Sequence, residues 1–326
     1  LVAGLAARLH GRAVGIAAGL AQCSAYYVLM QARLAEADML LCLWVTAGIV
    51  CFAHAAVLPR RSRRVRRLAT WGLFAFTGLS FMTKFLAGPP LIAGACGLYV
   101  LATRRWRALR VLASPVGWLL LAAICLPWPL LAWRVYPEIV HDWYVHNVGR
   151  FSGEMGGTRS WAFYLYITPL MALPWTPWAV GAVVAGWRRG LFRRPAWRLL
   201  AAWLGFAVAL LSLSAWKHKH YIIPALPPLS VWAGWYLWHD ARQHITPRLG
   251  AWPATALTIA GVAGGIVALW IAKPDLAPMA TAVLPVIAAC VLLAIWADRA
   301  RRPAFTLAGL FAAVWVVSVG TQCLLM

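Results

Sequence analysis

The sequence predicts an all-α polytopic membrane protein, and three observations carry that reading. The 326 residues are 63% hydrophobic and only 12% charged, with a mean hydropathy of +0.74, a composition that a water-exposed domain cannot solvate. Its apolar runs recur at lengths near the ~20 residues that a spanning helix needs. Its basic residues gather in short runs between alternate apolar segments, the pattern of the positive-inside rule.

Hydropathy places eleven spans, at 12–32, 38–58, 68–83, 86–102, 111–133, 161–187, 196–215, 221–238, 251–272, 279–297 and 303–325. On this map one side holds Arg8, Arg12, the runs 60–67 (RRSRRVRR), 104–110 (RRWRALR) and 188–198, then Arg242, Arg248 and 298–302 (DRARR). That side has 22 of the 30 Lys and Arg and two acids, Asp240 and Asp298, so it is assigned to the cytoplasm. The opposite side carries six acids: Glu36, Asp38, Glu138, Asp142, Glu154 and Asp275. Topology therefore accounts for the formal charge of +22, and no nucleic-acid partner is implied. Residues 1–238 are expected to form a transmembrane core with functional loops at 33–38, 84–90, 134–160 and 216–221. Residues 239–326 are expected to be C-terminal transmembrane helices with a scaffold role.

Other features refine the membrane reading. All seven cysteines fall inside predicted spans with no Cys-x-x-Cys pair, which suits packing residues better than a disulfide or zinc framework. Trp128, Trp133, Trp143, Trp161, Trp175 and Trp178 flank the longest polar loop, where an interfacial aromatic belt is expected. Gly11, Gly15 and Gly19 form a small-residue series that predicts a close helix–helix contact. The chain opens on Leu1 in mid-pattern, without a signal peptide, and reads as the continuation of a longer protein.

The outward loops hold nearly every residue capable of chemistry. In RLAEAD (33–38), Glu36 and Asp38 would point about 200° apart on a continuous helix, yet in a loop they can converge on one cation. The alternative makes Asp38 the N-cap of a helix beginning at Met39. Lys84, in TKFLAGPP, is either an interfacial snorkelling cation or a point charge for a phosphate. The stretch 138–150 (EIVHDWYVHNVGR) crowds Glu138, His141, Asp142, His146, Asn147 and Arg150 into one polar loop. Imidazole and carboxylate there suit a divalent metal of the Zn, Mg or Mn type, while Asn147 and Arg150 suit a ligand hydroxyl and a phosphate. Lys217–Tyr221 (KHKHY) is a cationic cluster on the acidic side of the map and predicts an anion site. Together these loops describe a pocket for a phosphate-bearing, lipid-linked substrate.

The motifs RLAEADM, TKFLAGPP, WYVHNVGRFSG with WAFYLYITPLMALPW, and KHKHYIIPALPPL resemble, in the same order, those of the GT-C membrane glycosyltransferases. The likeness is strongest to bacterial aminoarabinose–lipid A transferases and to their relatives among protein O-mannosyltransferases, and it rests on residues 31–228. The resemblance implies a GT-C-like helix bundle of about thirteen spans, eleven of them here. It also implies a polyprenyl-phosphate sugar donor, an inverting transfer to a periplasmic lipid, glycan or protein acceptor, and a place in the bacterial inner membrane with membrane lipids as partners. By resemblance Asp38 and Glu36 stand in the catalytic group, and His146 is a ligand of a divalent metal. Asn147 positions substrate, and Arg33, Lys84, Arg150, Lys217, Lys219 and Tyr221 lie near the donor phosphate. Val145 stands where the signature has Glu. The family's first outward loop, with its acidic pair, has no counterpart, so the chain is expected to be an N-terminally truncated piece without full activity.

A lipid-linked-sugar flippase or other transporter is the alternative. Transporters place ionisable residues at mid-membrane and often carry internal repeats. This sequence instead collects its charges at one surface, which favours surface chemistry.

Overall fold

Helices make up the architecture of the computed structural model, which describes residues 1–34, 36–59, 62–153 and 159–243 together with scattered positions between 286 and 316. In chain order these are α1 (Val2–His10), α2 (Arg12–Ser24), α3 (Tyr26–Gln31), α4 (Ala37–Phe52) and α5 (Arg63–Lys84). They continue as α6 (Gly88–Thr103), α7 (Pro115–Cys125), α8 (Pro127–Val135), α9 (Ile139–Tyr144) and α10 (Arg150–Ser152). The last described are α11 (Phe163–Met171), α12 (Thr176–Arg188), α13 (Pro195–Leu213) and α14 (Pro227–Gln243). The predicted spans 251–272, 279–297 and 303–325 lie wholly or largely outside the described residues.

Among the described residues four helical stretches are long and apolar enough to cross a membrane: Ala37–Val57, Arg63–Thr103, Pro115–Val135 and Pro195–Leu213. The bent pair Phe163–Met171 and Thr176–Arg188 makes up to five. The second stretch is two spans rather than one, because 41 residues of straight helix would reach about 60 Å across a ~30 Å hydrocarbon core. Phe85, at φ 45°, breaks it, and Phe85–Ala87 continue as a 3-10 turn.

The chain clusters into two compact units, one of residues 35–168 and 190–228 with Leu1, the other of residues 2–34, 169–189 and 229–326. In the first, contacts fix the helix directions. Trp44 stacks on Phe76, and Gly72 meets Cys51, so α4 and α5 are antiparallel. Gly88 meets Leu41, Gly48 meets Ile92 and Phe52 meets Tyr99, so α4 and α6 are parallel. Gly117 and Trp118 pack on Phe74, and Ile124 on Gly78, which sets α7 parallel to α5. Gly94 lies under the Phe206 ring while Arg198 donates to the Ala102 carbonyl at 3.1 Å, so α13 runs against α6. The start of α4, the end of α5, the start of α6 and the end of α13 consequently share one end of this unit. The basic runs 63–67, 104–110 and 193–198 share the other.

In the second unit α1 folds back on α2. A Cβ at Gly15 would stand 2.6 Å from that of Ala7, and one at Gly19 would stand 2.9 Å from that of Ala3. The expected small-residue contact is therefore present at Gly15 and Gly19. Gly11 serves differently: nothing lies near it, and its φ of 100° makes it the hinge of the hairpin. Trp175 and Trp178, expected in an interfacial belt, are instead fully buried, and the Trp175 indole donates to Ser24 Oγ at 3.0 Å. A buried indole N–H needs such a partner, and α2 supplies it. Trp128, Trp133 and Trp161 are exposed, as a belt requires. Six cysteines are described and all are free thiols.

Candidate active site

Asp38 and Lys84 form the centre of the site. The helix α4 begins at Ala37, with Glu36 in the N-cap position and no side-chain cap bond. The expectation of Asp38 as an N-cap is thus not met. Asp38 sits inside the first turn, 2% exposed, and its carboxylate accepts from the Lys84 ammonium at 2.7 Å (Oδ1) and 2.6 Å (Oδ2). A buried carboxylate needs a compensating charge, and a cation bridging both oxygens is a strong one. Lys84 reaches it because α5 stops there: the left-handed Phe85 bends the backbone, and its ring packs on Phe81 at 4.5 Å and stacks on Trp143 at 5.3 Å. A bulky residue at positive φ costs about 1–2 kcal/mol, which these ring contacts offset.

The cationic cluster 217–221 folds mostly as the start of a 3-10 helix, Lys219–Ala225, so α14 begins only at Pro227 rather than at 221. His220 Nε2 stands 3.9 Å from Asp38 Oδ2, and the Lys84 ammonium lies 5.0 Å over the Tyr221 ring. His218 stacks on His220 at 5.2 Å, its Nε2 accepts from the Trp216 indole, and its carbonyl accepts from Tyr164 Oη at 2.9 Å. Lys217 is buried, and its ammonium donates to the Arg159 carbonyl at 3.2 Å and to the Ser214 carbonyl. Burial without a carboxylate partner lowers its pKa from the ordinary lysine value.

The stretch 138–150, expected as a loop, is helical: α9, a π-helical turn over Val145–Gly149, then α10. The π turn carries His146 and Asn147, and the Asn147 amide donates to the Trp143 carbonyl at 2.8 Å. A cavity of about 660 Å³ is lined by Asp38, Lys84, His146, Asn147 and Tyr221. Its walls come from Phe81, Phe85, Trp128, Trp143, Phe151 and Trp216, with Leu210, Leu211 and Ser214 at the end of α13. Five of the expected site residues thus converge on one chamber that is largely apolar with a charged corner.

Others do not line it. Lys217 and Lys219 are not among the lining residues, and Lys219 is exposed. Arg33 is exposed in the turn after α3, in the other unit. The side chain of Arg150 lies outside the described residues. Sequence reasoning did not single out the aromatic walls, nor His220 as a partner of Asp38. The tryptophans signalled only an interface, and KHKHY signalled only positive charge.

Among the described residues, Glu36, Asp38 and His220 form the group able to hold a metal, since one donor atom from each lies within 4.8 Å of the others. Two carboxylates and an imidazole are a chemically suitable set for a divalent cation. Lys84 would share Asp38 with any such ion. His146, the expected ligand, lines the cavity but is not part of this group.

Known proteins share both the sequence and the fold. No family model matches the chain. An undecaprenyl phosphate-alpha-4-amino-4-deoxy-L-arabinose arabinosyl transferase from Pseudomonas aeruginosa is 35% identical over 222 residues, which is 63% of this chain and 37% of that protein. A namesake from Proteus mirabilis is 30% identical over 228 residues, 68% of this chain and 40% of that protein. The crystal structure of ArnT from Cupriavidus metallidurans bound to undecaprenyl phosphate superposes with a TM-score of 0.79 at 22% identity, covering 99% of this chain and 61% of that one. The chain is a relative of these arabinosyltransferases. It spans little more than a third of the length of the curated relatives it matches. The apo form of the Cupriavidus metallidurans enzyme gives a TM-score of 0.74 over 98% of this chain, so the GT-C membrane fold holds in both comparisons.

Proposed function

We propose that this chain forms the membrane core of a glycosyltransferase that moves a sugar from a polyprenyl-phosphate donor to a periplasmic lipid, glycan or protein acceptor. The observation that carries the reading is the Asp38–Lys84 pair at the charged corner of an otherwise apolar and aromatic chamber. A polyprenyl phosphate has the matching halves, an apolar chain and an anionic head. The names of the arabinosyltransferase relatives point to the same donor chemistry.

In the transfer an acceptor oxygen attacks the anomeric carbon, the bond from that carbon to the phosphate oxygen breaks, and the phosphate leaves with the electron pair. Lys84 is the group suited to the developing negative charge, because an ammonium already held in place at the corner of a largely apolar chamber stabilises charge with little reorganisation. Asp38, with both oxygens on Lys84, acts as the positioning residue. The acceptor proton needs a base, and of the two expected carboxylates Glu36 is the exposed one. A divalent cation held by Glu36, Asp38 and His220 would add positive charge beside the phosphate. Tyr221 orients the ammonium through its ring face, while His146 and Asn147 are placed to meet the sugar or acceptor. The site end faces the periplasm, opposite the arginine-rich end.

The test is transfer from a polyprenyl-phosphate sugar by the whole gene product. Lys84→Ala is expected to lower kcat about 100-fold or more, and Asp38→Asn to lower it by a similar factor. Full activity in both variants, with flipping of the lipid-linked sugar lost instead, would make the chain a transporter.

A further inference from the structure

The basic end of the first unit sets exposed arginines beside exposed apolar side chains. Between α6 and α7 the chain runs as a 3-10 helix over Trp106–Ala113, entered through the left-handed Arg104. Side chains three apart eclipse in such a helix, so its residues sort into three faces. Ala108 and Val111 form the inner face, with Ala108 buried. Trp106, Leu109 and Leu112 form a second face, exposed at 56%, 41% and 48%. Arg107 and Arg110 form the third, both exposed, with exposed Arg104 and Arg105 at the entry. The helix is pinned at its end, where the Trp118 indole donates to the Leu112 carbonyl at 2.8 Å.

Charge balance at this end is one-sided. The described acids of the unit are Glu36, Asp38, Glu138 and Asp142, and its recorded ion pairs are those of Asp38 with Lys84 and His220. Asp38 lies at the start of α4, about 30 Å of helix from the basic end. No ion pair with a described carboxylate is therefore recorded for the four arginines of this segment. They stand beside an apolar stripe at the level where Thr103 ends one span and Pro115 begins the next. Orientation in the membrane requires only that arginines be present on this side. It does not require an apolar face and a guanidinium face side by side on one rigid helix.

We propose that the Trp106–Ala113 helix, with Arg104, Arg105, Arg107 and Arg110, is a binding site for the phosphate headgroup of an anionic membrane lipid. The guanidiniums take the phosphate oxygens, for which their planar fork is suited. The Trp106–Leu109–Leu112 stripe lies at the glycerol and upper acyl level. A nucleic acid would satisfy the arginines and leave the stripe in water, which is why a lipid is the occupant. The site is independent of the transfer reaction at the opposite end.

The experiment is a titration of the purified full chain with phosphatidylglycerol or phosphatidylcholine, with bound lipid counted by native mass spectrometry. Phosphatidylglycerol is expected to bind with tighter affinity than phosphatidylcholine. Arg107→Ala with Arg110→Ala is expected to weaken it about fivefold per arginine, or about 25-fold in all. Arg107→Lys with Arg110→Lys, which keeps the charge and guards against a folding defect, is expected to stay within about fivefold of the parent. Trp106→Ser with Leu109→Ser is also expected to weaken binding. Equal affinity for the two lipids, or phosphatidylglycerol binding unchanged in the double alanine variant, would overturn the site. Binding unchanged in the serine variant would reduce it to diffuse attraction and overturn it equally.

Discussion

Asp38 and Lys84 are 46 positions apart, and no local pattern links them. Each had a plain alternative in the sequence, a helix cap for one and a snorkelling cation for the other. Their pairing removes both, because a carboxylate 2% exposed cannot go without a counter-charge. Lys84→Met alone should leave that carboxylate buried with only the more distant His220, and cost about 3 kcal/mol of stability. Adding Asp38→Asn should restore much of the loss, since the two groups act as a unit. Thermal unfolding of the single and double variants in one detergent measures this; additive losses would contradict the pairing. Lys217, expected near the donor phosphate, is buried, and its ammonium donates to the Arg159 and Ser214 carbonyls.

At the level of elements, the apolar runs at 38–58, 68–102, 111–133 and 196–215 coincide with helical stretches long enough to cross a membrane, but hydropathy could not see how they break. The break between α5 and α6 falls at Phe85, whose positive φ ends α5, and Gly88 and Pro89 open α6 after a 3-10 turn. The run 12–32 is interrupted at Ala25, and 111–133 begins as a 3-10 helix and breaks between Cys125 and Pro127. Proline at the first turns of α7, α8, α12 and α13 marks those helix starts in the sequence itself. Composition cannot reveal which glycines are contacts. Gly94 is one, for a Cβ there would fall 1.9 Å from Phe206 Cζ. Gly94→Ala should therefore push α6 from α13 and cost about 1–3 kcal/mol, whereas Gly97→Ala, which meets nothing within 4 Å, should be close to neutral. Unfolding midpoints of the two variants separate these outcomes.

At the scale of the whole molecule, the alternation of helix directions carries the orientation. Leu86, 48% exposed, belongs to the site end, and Arg107 to the basic end. A membrane-impermeant maleimide is expected to label Leu86→Cys from the periplasmic side of intact cells. It should label Arg107→Cys only after the inner membrane is opened, and the reverse pattern would invert the topology. The relatives and the solved structures agree with the membrane-helical class that composition predicted.

The sequence by itself determined the class of the protein, the sidedness of its charges and the order of its motifs. Each of these is a one-dimensional property: hydropathy per window, charge per loop, spacing along the chain. Only the tertiary structure decided which of the charged groups meet. It placed Asp38, Lys84, His146, Asn147 and Tyr221 around one cavity and brought His220 to Asp38. It also buried Lys217 against the Arg159 and Ser214 carbonyls. The physical reason is that helices running in alternate directions bring distant ends together. Once water is excluded there, each buried charge must take whichever partner lies within a few ångströms.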